Sequence, residues 1–168
     1  MKKITLLYSF FLSLFFALFA TSFIPNIKII YFLPFLVILY FNTSFITSLW
    51  ISFLSGIIVD LISTTHFGIN ALVFTVLTAL FYHRKRLFNL STLNIFLFTV
   101  LLSISHSIFK VFFLFIFDKG LTISFLFFIT DVILMSIIDG LYSFLFFALP
   151  LKAIDKFKKS SFFTKEKA

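Results

Sequence analysis

The chain has 168 residues, of which 61% are hydrophobic and only 12% are charged, and its mean hydropathy is +1.18. A soluble domain carries about twice that charged fraction, so the composition excludes an ordinary soluble protein and predicts helices that are solvated by lipid. The net charge of +8 falls in clusters between apolar runs, which argues against the continuous basic face of a nucleic-acid-binding protein.

A bilayer core about 30 Å thick is crossed by about 20 helical residues. The first apolar run follows Lys2 and Lys3, as in a signal peptide, but it is too long for a signal core. Leu18 also stands where a cleavage site requires a small residue, so we expect an uncleaved first transmembrane helix. The six predicted helices span about residues 4–23, 29–41, 45–62, 69–82, 93–117 and 131–150.

Polar residues separate these helices. Asn42-Thr43-Ser44 predict a tight turn, with Ser44 as the N-cap of the third helix. Thr130 and Asp131 resemble a helix start, because a hydroxyl or a carboxylate can accept hydrogen bonds from the first free amides. Residues 121–129 would then lie at the outer interface or lengthen the adjoining helices.

The basic residues indicate the topology. With six helices and the N-terminus inside, eleven of the 14 lysines and arginines lie on the cytoplasmic side, two lie outside, and Lys110 lies within the fifth helix. This asymmetry follows the positive-inside rule. The expected fold is therefore an all-α integral membrane protein with six transmembrane helices and both termini cytoplasmic. We expect residues 1–151 to form the transmembrane domain and 152–168 to form a basic cytoplasmic tail. The tail lies on anionic lipid, touches a cytoplasmic partner or is simply solvated.

Asp60 is the first candidate functional residue, because an ionisable side chain inside lipid needs a partner or a cavity. It lies near the outer end of the third helix, where a carboxylate opposes the dipole of its own helix. Gly56, one turn earlier, allows another backbone to approach closely. Two interpretations stay open. Asp60 holds the following turn by accepting hydrogen bonds from the region of Ser63 and Thr64, or it belongs to a periplasmic site for a partner or ligand.

The turn after Asp60 is itself polar. Thr64 or Thr65 is expected to cap the fourth helix, and Gly68 suits a tight turn. His66 lies in the same turn, but one histidine near one aspartate is not a metal site without further ligands.

Asp139 is the second candidate. If the sixth helix begins at Asp131, Asp139 lies about 12 Å inside it and must be paired or neutral. On the fifth helix His106 falls at a similar depth and Lys110 lies one turn further out. We therefore expect Asp139 to contact His106 or Lys110, either as a structural polar pair or as part of a transport pathway. Gly140 beside it permits close packing.

The sequence contains no cysteine, which excludes disulfides and thiolate catalysis. It also lacks a Gly-rich phosphate loop, a metalloprotease motif and a nucleophile elbow. We therefore expect no enzymatic activity, no metal and no cofactor.

The stretch from Gly56 to Leu72 reads GIIVDLISTTHFGINAL. It resembles the signature of the bacterial rod-shape-determining membrane protein family MreD: an aliphatic run, an aspartate, a Ser/Gly-rich turn and a step into an Ala-Leu helix. Pro34, followed by an aliphatic run, resembles that family's second helix, and IIDGL at 137–141 resembles its last. The residues that carry the signature, or are candidates for partner contact, are Pro34, Gly56, Asp60, Leu61, Ser63, Gly68, Asn70, Ala71 and Leu72.

The resemblance implies a multi-pass protein of the bacterial inner membrane that has no enzymatic activity and serves the complex that makes peptidoglycan during cell elongation. It implies a direct partner, an MreC-like periplasmic scaffold protein, and indirect ones, MreB filaments and the wall synthases. Membrane lipid surrounds such a protein, and nucleic acid plays no part. Family members are similar in architecture to the substrate-binding subunits of energy-coupling-factor vitamin transporters. The alternative function is therefore the substrate-binding subunit of a vitamin or small-molecule transporter.

Overall fold

The computed structural model of the chain describes residues 2–23, 29–63, 67–88, 91–117 and 128–153. Every regular element within these ranges is helical, which confirms the all-α prediction. The elements are α1 (Lys2–Phe23), α2 (Leu33–Asn42), α3 (Phe45–Ile62), α4 (Ile69–Phe81), a 3₁₀ turn (His83–Leu87), α5 (Thr92–Phe117) and α6 (Phe128–Ala153).

Three helices, α3, α5 and α6, are long and apolar enough to cross a membrane, which supports a membrane protein. In contrast, α2 has 10 residues and α4 has 13, so they are only about 15 and 20 Å long. Six crossings with both termini in the cytoplasm stay a prediction. A helix that ends inside the apolar layer must have its free backbone groups satisfied by the protein.

The short helix α2 lies at the centre of the bundle and contacts α1, α3, α5 and α6. All its residues from Leu33 to Tyr40 are buried. A helix that is hydrophobic on every side is expected to be enclosed by others. Pro34 lies in its first turn, where a missing N–H removes no intrahelical hydrogen bond.

Two helix pairs pack around α2, namely α3 with α4 and α5 with α6. Each pair has one glycine at its closest approach. A Cβ atom on Gly56 of α3 would lie 2.3 Å from Cα of Ala71 on α4. A Cβ atom on Gly140 of α6 would lie 2.4 Å from Cγ2 of Val100 on α5. Small residues thus set both interhelical distances, as is common in membrane bundles.

Several boundaries differ from the expected ones. The helix α2 begins at Leu33 rather than near 29, after a turn over Tyr31 and Phe32. α6 is already helical at Phe128, with π-helical turns over Phe128–Leu134 and Phe144–Ala148, so Thr130 and Asp131 lie within it. Its first residues, Phe128 and Ile129, are apolar and exposed, so they extend the exposed apolar surface of α6.

Ser44 does occupy the N-cap position of α3, but no side-chain capping bond is formed there. Its hydroxyl instead pairs with Thr47 Oγ1 at 2.8 Å. The expected breaks at 24–28 and 118–120, the interface segment 121–127 and the basic tail from 154 onward lie outside the described residues.

Candidate functional site

The carboxylate of Asp60 binds the beginning of α4. Its Oδ2 accepts hydrogen bonds from the backbone N–H of Gly68 at 3.0 Å and of Ala71 at 3.1 Å. Its Oδ1 accepts from the backbone N–H of Asn70 at 3.0 Å and from the Asn70 carboxamide at 2.9 Å. A carboxylate has about four acceptor positions, so these four donors occupy it fully.

The local chain conformation makes this cap possible. Gly68 precedes α4 with φ of 96°, in the left-handed region that glycine adopts without a steric penalty. Because Gly56 has no side chain, Ala71 approaches within contact distance of α3, which brings the N-terminus of α4 to Asp60. We call this unit, formed by Gly56, Asp60, Gly68, Asn70 and Ala71, the Asp60 corner.

The Asp60 corner resolves the unfavourable placement of the carboxylate in α3. Asp60 opposes the dipole of α3 but lies at the positive N-terminal end of α4, where a carboxylate is stabilising. The side chain is 3% exposed. This geometry favours the interpretation in which Asp60 holds the turn, because its acceptor positions are filled by the chain itself. A ligand or partner held directly by Asp60 would have to displace one of these donors.

The structure describes only part of the turn from which Asp60 was expected to accept hydrogen bonds. The backbone N–H of Ser63 donates to the carbonyl of Val59 at 2.8 Å and closes α3. Thr64, Thr65 and His66 lie outside the described residues. The described donors to Asp60 come from the far side of the turn, at 68–71.

Two large apolar side chains project from the Asp60 corner. Leu61, next to Asp60, is 71% exposed, and Phe67, just before Gly68, is 69% exposed. Both lie at the junction between the end of α3 and the start of α4. They provide contact area for lipid or for another protein.

Asp139 lies deeper in the bundle and binds different groups. Its Oδ2 accepts from the Ser103 hydroxyl of α5 at 2.5 Å, and its Oδ1 accepts from the backbone N–H of Ile30 at 2.9 Å. Ile30 begins the turn that leads into α2, since its carbonyl accepts from the N–H of Leu33 at 3.1 Å. Asp139 therefore joins α6, α5 and the start of α2.

This arrangement corrects the predicted pairing of Asp139 with His106 or Lys110. The register of α5 against α6 places Ser103 opposite Asp139, because Gly140 packs directly on Phe96 and Val100. His106 lies about one turn beyond Ser103, and Lys110 lies about one turn further still.

The same register continues through hydroxyl side chains. Thr99 and Ser143 are hydrogen-bonded at 2.9 Å, so a step of four residues from Thr99 to Ser103 matches a step back from Ser143 to Asp139. We call Thr99, Ser103, Asp139 and Ser143 the polar ladder. All four side chains are buried.

The next step of this register brings His106 opposite Ser136 on α6. His106 Nε2 and Ser136 Oγ are both buried, and neither has a hydrogen-bond partner in the part of the chain that the structure describes. The His106 ring instead packs on Phe74 of α4, with 5.4 Å between the ring centres. His106 therefore packs on an aromatic ring of α4 and is not the hydrogen-bond partner of Asp139.

A third polar network joins α2, α3 and α4 and was not anticipated. Tyr40 Oη lies 2.9 Å from Thr78 Oγ1, which in turn lies 2.8 Å from Ser52 Oγ. The Lys85 ammonium donates to the carbonyl of Tyr40 and lies 3.7 Å from the ring centre of Tyr82. The signal for such networks is serine or threonine repeated at three or four residues along an apolar helix, as at Ser48, Ser52 and Ser55.

The chemistry of these polar groups is that of helix capping and interhelical hydrogen bonding. No group of three or more His, Cys, Asp or Glu side chains comes together within the described ranges. Asp60 and Asp139 instead each accept from backbone N–H groups at or just before the start of a short helix. Comparison of the chain with protein-family models, with curated proteins and with solved structures found no match.

Proposed function

We propose that this protein is a non-enzymatic scaffold of the bacterial inner membrane, of the MreD type, that serves peptidoglycan synthesis during cell elongation. The observation that carries the proposal is the Asp60 corner. The residues on which the resemblance rests, Gly56, Asp60, Gly68 and Ala71, form one packing and hydrogen-bonding unit. A sequence signature with one shared structural role is a stronger basis for a family resemblance than scattered identities.

The chemistry of the corner fits a scaffold. Asp60 is fully used in holding α4, so the corner is a rigid support rather than a reactive group. The apolar side chains of Leu61 and Phe67 are displayed beside it. In this proposal they contact the membrane-proximal part of an MreC-like partner, and MreB filaments and the wall synthases associate through that partner.

The test is complementation of a rod-shaped bacterium that lacks its own MreD. We expect this chain to restore rod shape when it is expressed with the MreC-like protein of the same source, and the two proteins to be recovered together from detergent extracts. We also expect the two coding sequences to be neighbours in the source genome.

A matched pair of variants locates the contact. The double variant Leu61→Ala/Phe67→Ala should lower partner recovery at least fivefold. Ile46→Ala/Trp50→Ala, which alters similarly exposed side chains towards the other end of α3, should leave recovery unchanged. Round cells despite normal membrane insertion would contradict the proposal. A small molecule retained through purification, together with round cells, would instead favour the transporter alternative.

A further inference from the structure

A half-open groove of about 410 Å³ lies where α4 ends and the 3₁₀ turn begins. Its walls are apolar: Leu80 and Phe81 come from α4, and Phe98 and Leu101 come from α5. Its rim carries one charged group, the Arg84 guanidinium. The groove thus combines an apolar slot with a cation at one end.

The aromatic wall of the groove is closely packed. Phe88 stacks on Phe98 with 4.8 Å between the ring centres and an interplanar angle of 27°. Phe98 is fully buried, so the pair fixes the chain that leaves the 3₁₀ turn against α5. A preformed wall of this kind lowers the entropic cost of binding.

The 3₁₀ turn directs its basic residues to different sides. Lys85 is directed inward, where it binds the Tyr40 carbonyl and the face of Tyr82. With three residues per turn, side chains three apart share a face, so Arg84 and Leu87 lie together, and both line the groove. Arg86 does not share this face, although it carries the same charge and is also exposed.

The Arg84 guanidinium is available to an anion from outside this part of the chain, because Arg84 is exposed. The sequence contains no Asp or Glu between Asp60 and Asp118, and no acidic side chain pairs with Arg84 in the described structure. Leu87, on the same face, is 74% exposed. A complementary occupant therefore offers a negative group to Arg84 and hydrocarbon to the apolar lining.

We propose that this groove is a binding site for one anionic phospholipid, whose phosphate pairs with Arg84 and whose acyl chain lies against Leu80 and Leu101. The groove lies at the end of an apolar helix, where the headgroups of a bilayer are expected. Basic pockets between transmembrane helices are suited to such headgroups. The site is distinct from the Asp60 corner, and it does not depend on the proposed scaffold function.

The test is native mass spectrometry of the full chain in detergent, titrated with phosphatidylglycerol or with phosphatidylcholine of the same acyl chains. We expect one phosphatidylglycerol to be retained, and at least fivefold more tightly than phosphatidylcholine. Arg84→Gln should weaken phosphatidylglycerol binding about fivefold, the effect of one basic group near a lipid surface. The matched control, Arg86→Gln, removes the same charge outside the groove and should change binding less than twofold.

A second variant tests the apolar part and leaves every charge in place. Leu101→Trp fills the slot and should also weaken binding several-fold, while circular dichroism of the variant stays that of the wild type. Equal weakening by Arg84→Gln and Arg86→Gln would overturn the proposal in favour of unspecific charge attraction. Equal affinity for both lipids, or full competition by glycerol phosphate, would overturn it as well.

Discussion

The Asp60 corner and the polar ladder each contain a buried aspartate that accepts hydrogen bonds near the start of a short helix, but the donors differ. In each, an aspartate on a long helix reaches the backbone N–H groups near the start of a short one: Asp60 of α3 serves α4, and Asp139 of α6 serves the turn into α2. Both short helices, with 10 and 13 residues, are shorter than the roughly 20 residues of a typical transmembrane helix. Buried carboxylates therefore satisfy backbone groups that lipid could not.

The two sites differ in what surrounds the carboxylate. The four described donors to Asp60 are N–H groups, three of them from the backbone. Asp139 faces one backbone N–H and one serine hydroxyl. A backbone N–H can only donate, whereas a hydroxyl can donate or accept. The Asp60 corner thus requires a carboxylate, because its donors need an acceptor on both oxygens. At Asp139 one acceptor for the Ile30 N–H is enough, because the Ser103 hydroxyl can switch from donor to acceptor.

The largest expected effect is that of Asp60→Asn. The new amide would point its hydrogens at N–H donors, so at least one buried pair is lost and replaced by repulsion. We expect a loss of about 3 kcal/mol in the free energy of unfolding. Titration with a denaturing detergent, followed by circular dichroism, measures it. Leu61→Ala, at the exposed neighbouring position, is the control and should change stability little. A loss below about 1 kcal/mol for Asp60→Asn would contradict the assigned cap.

An intermediate loss of stability is expected when Gly56 or Gly140 is replaced by alanine. A methyl group on Gly56 would meet backbone atoms of Ala71 and Asn70 at 2.3 to 2.7 Å, so α3 and α4 must separate and the cap must weaken. A methyl group on Gly140 meets side-chain atoms of Phe96 and Val100, which can change rotamer. We expect the free energy of unfolding to fall by about 2 kcal/mol for Gly56→Ala and by about 1 kcal/mol for Gly140→Ala.

The same unfolding assay compares the two glycine variants directly. A larger loss at Gly140 would show that α5 and α6 are the less adaptable pair. That result would reverse the expected order of the two glycine contacts, Gly56 with α4 and Gly140 with α5.

The smallest effect is expected for Asp139→Asn. Its carbonyl oxygen can still accept from Ile30, and its NH₂ can donate to the Ser103 hydroxyl, which reverses its role. We expect a loss under about 1 kcal/mol. In a double-mutant cycle, Ser103→Ala and Asp139→Ala should be coupled by about 1 kcal/mol. His106→Ala should show no coupling to Asp139→Ala. Strong coupling there would restore the pairing first expected from helical depth.

The sequence was informative about Asp60 for a physical reason. Gly56, Asp60 and Gly68 lie within 13 residues, and helices joined by so short a link pack side by side. Local spacing therefore indicates a corner, although it did not identify Gly68, Asn70 and Ala71 as the donors. Asp139 depends on residues 36 and 109 positions away. No local pattern could choose Ser103 over His106, because a shift of one helical turn changes the neighbour.

The sequence by itself determined the all-helical class and the approximate location of the helices, because long apolar runs between clusters of charge are typical of membrane helices. It also indicated which polar residues need a partner, since burying a charge in an apolar layer is costly. Only the tertiary structure decided which groups donate hydrogen bonds to Asp60 and Asp139. The helix registers are set where Gly56 meets Ala71 and Gly140 meets Val100. A contact such as that of Asp139 with Ile30, 109 residues away, depends on packing that no local stretch encodes.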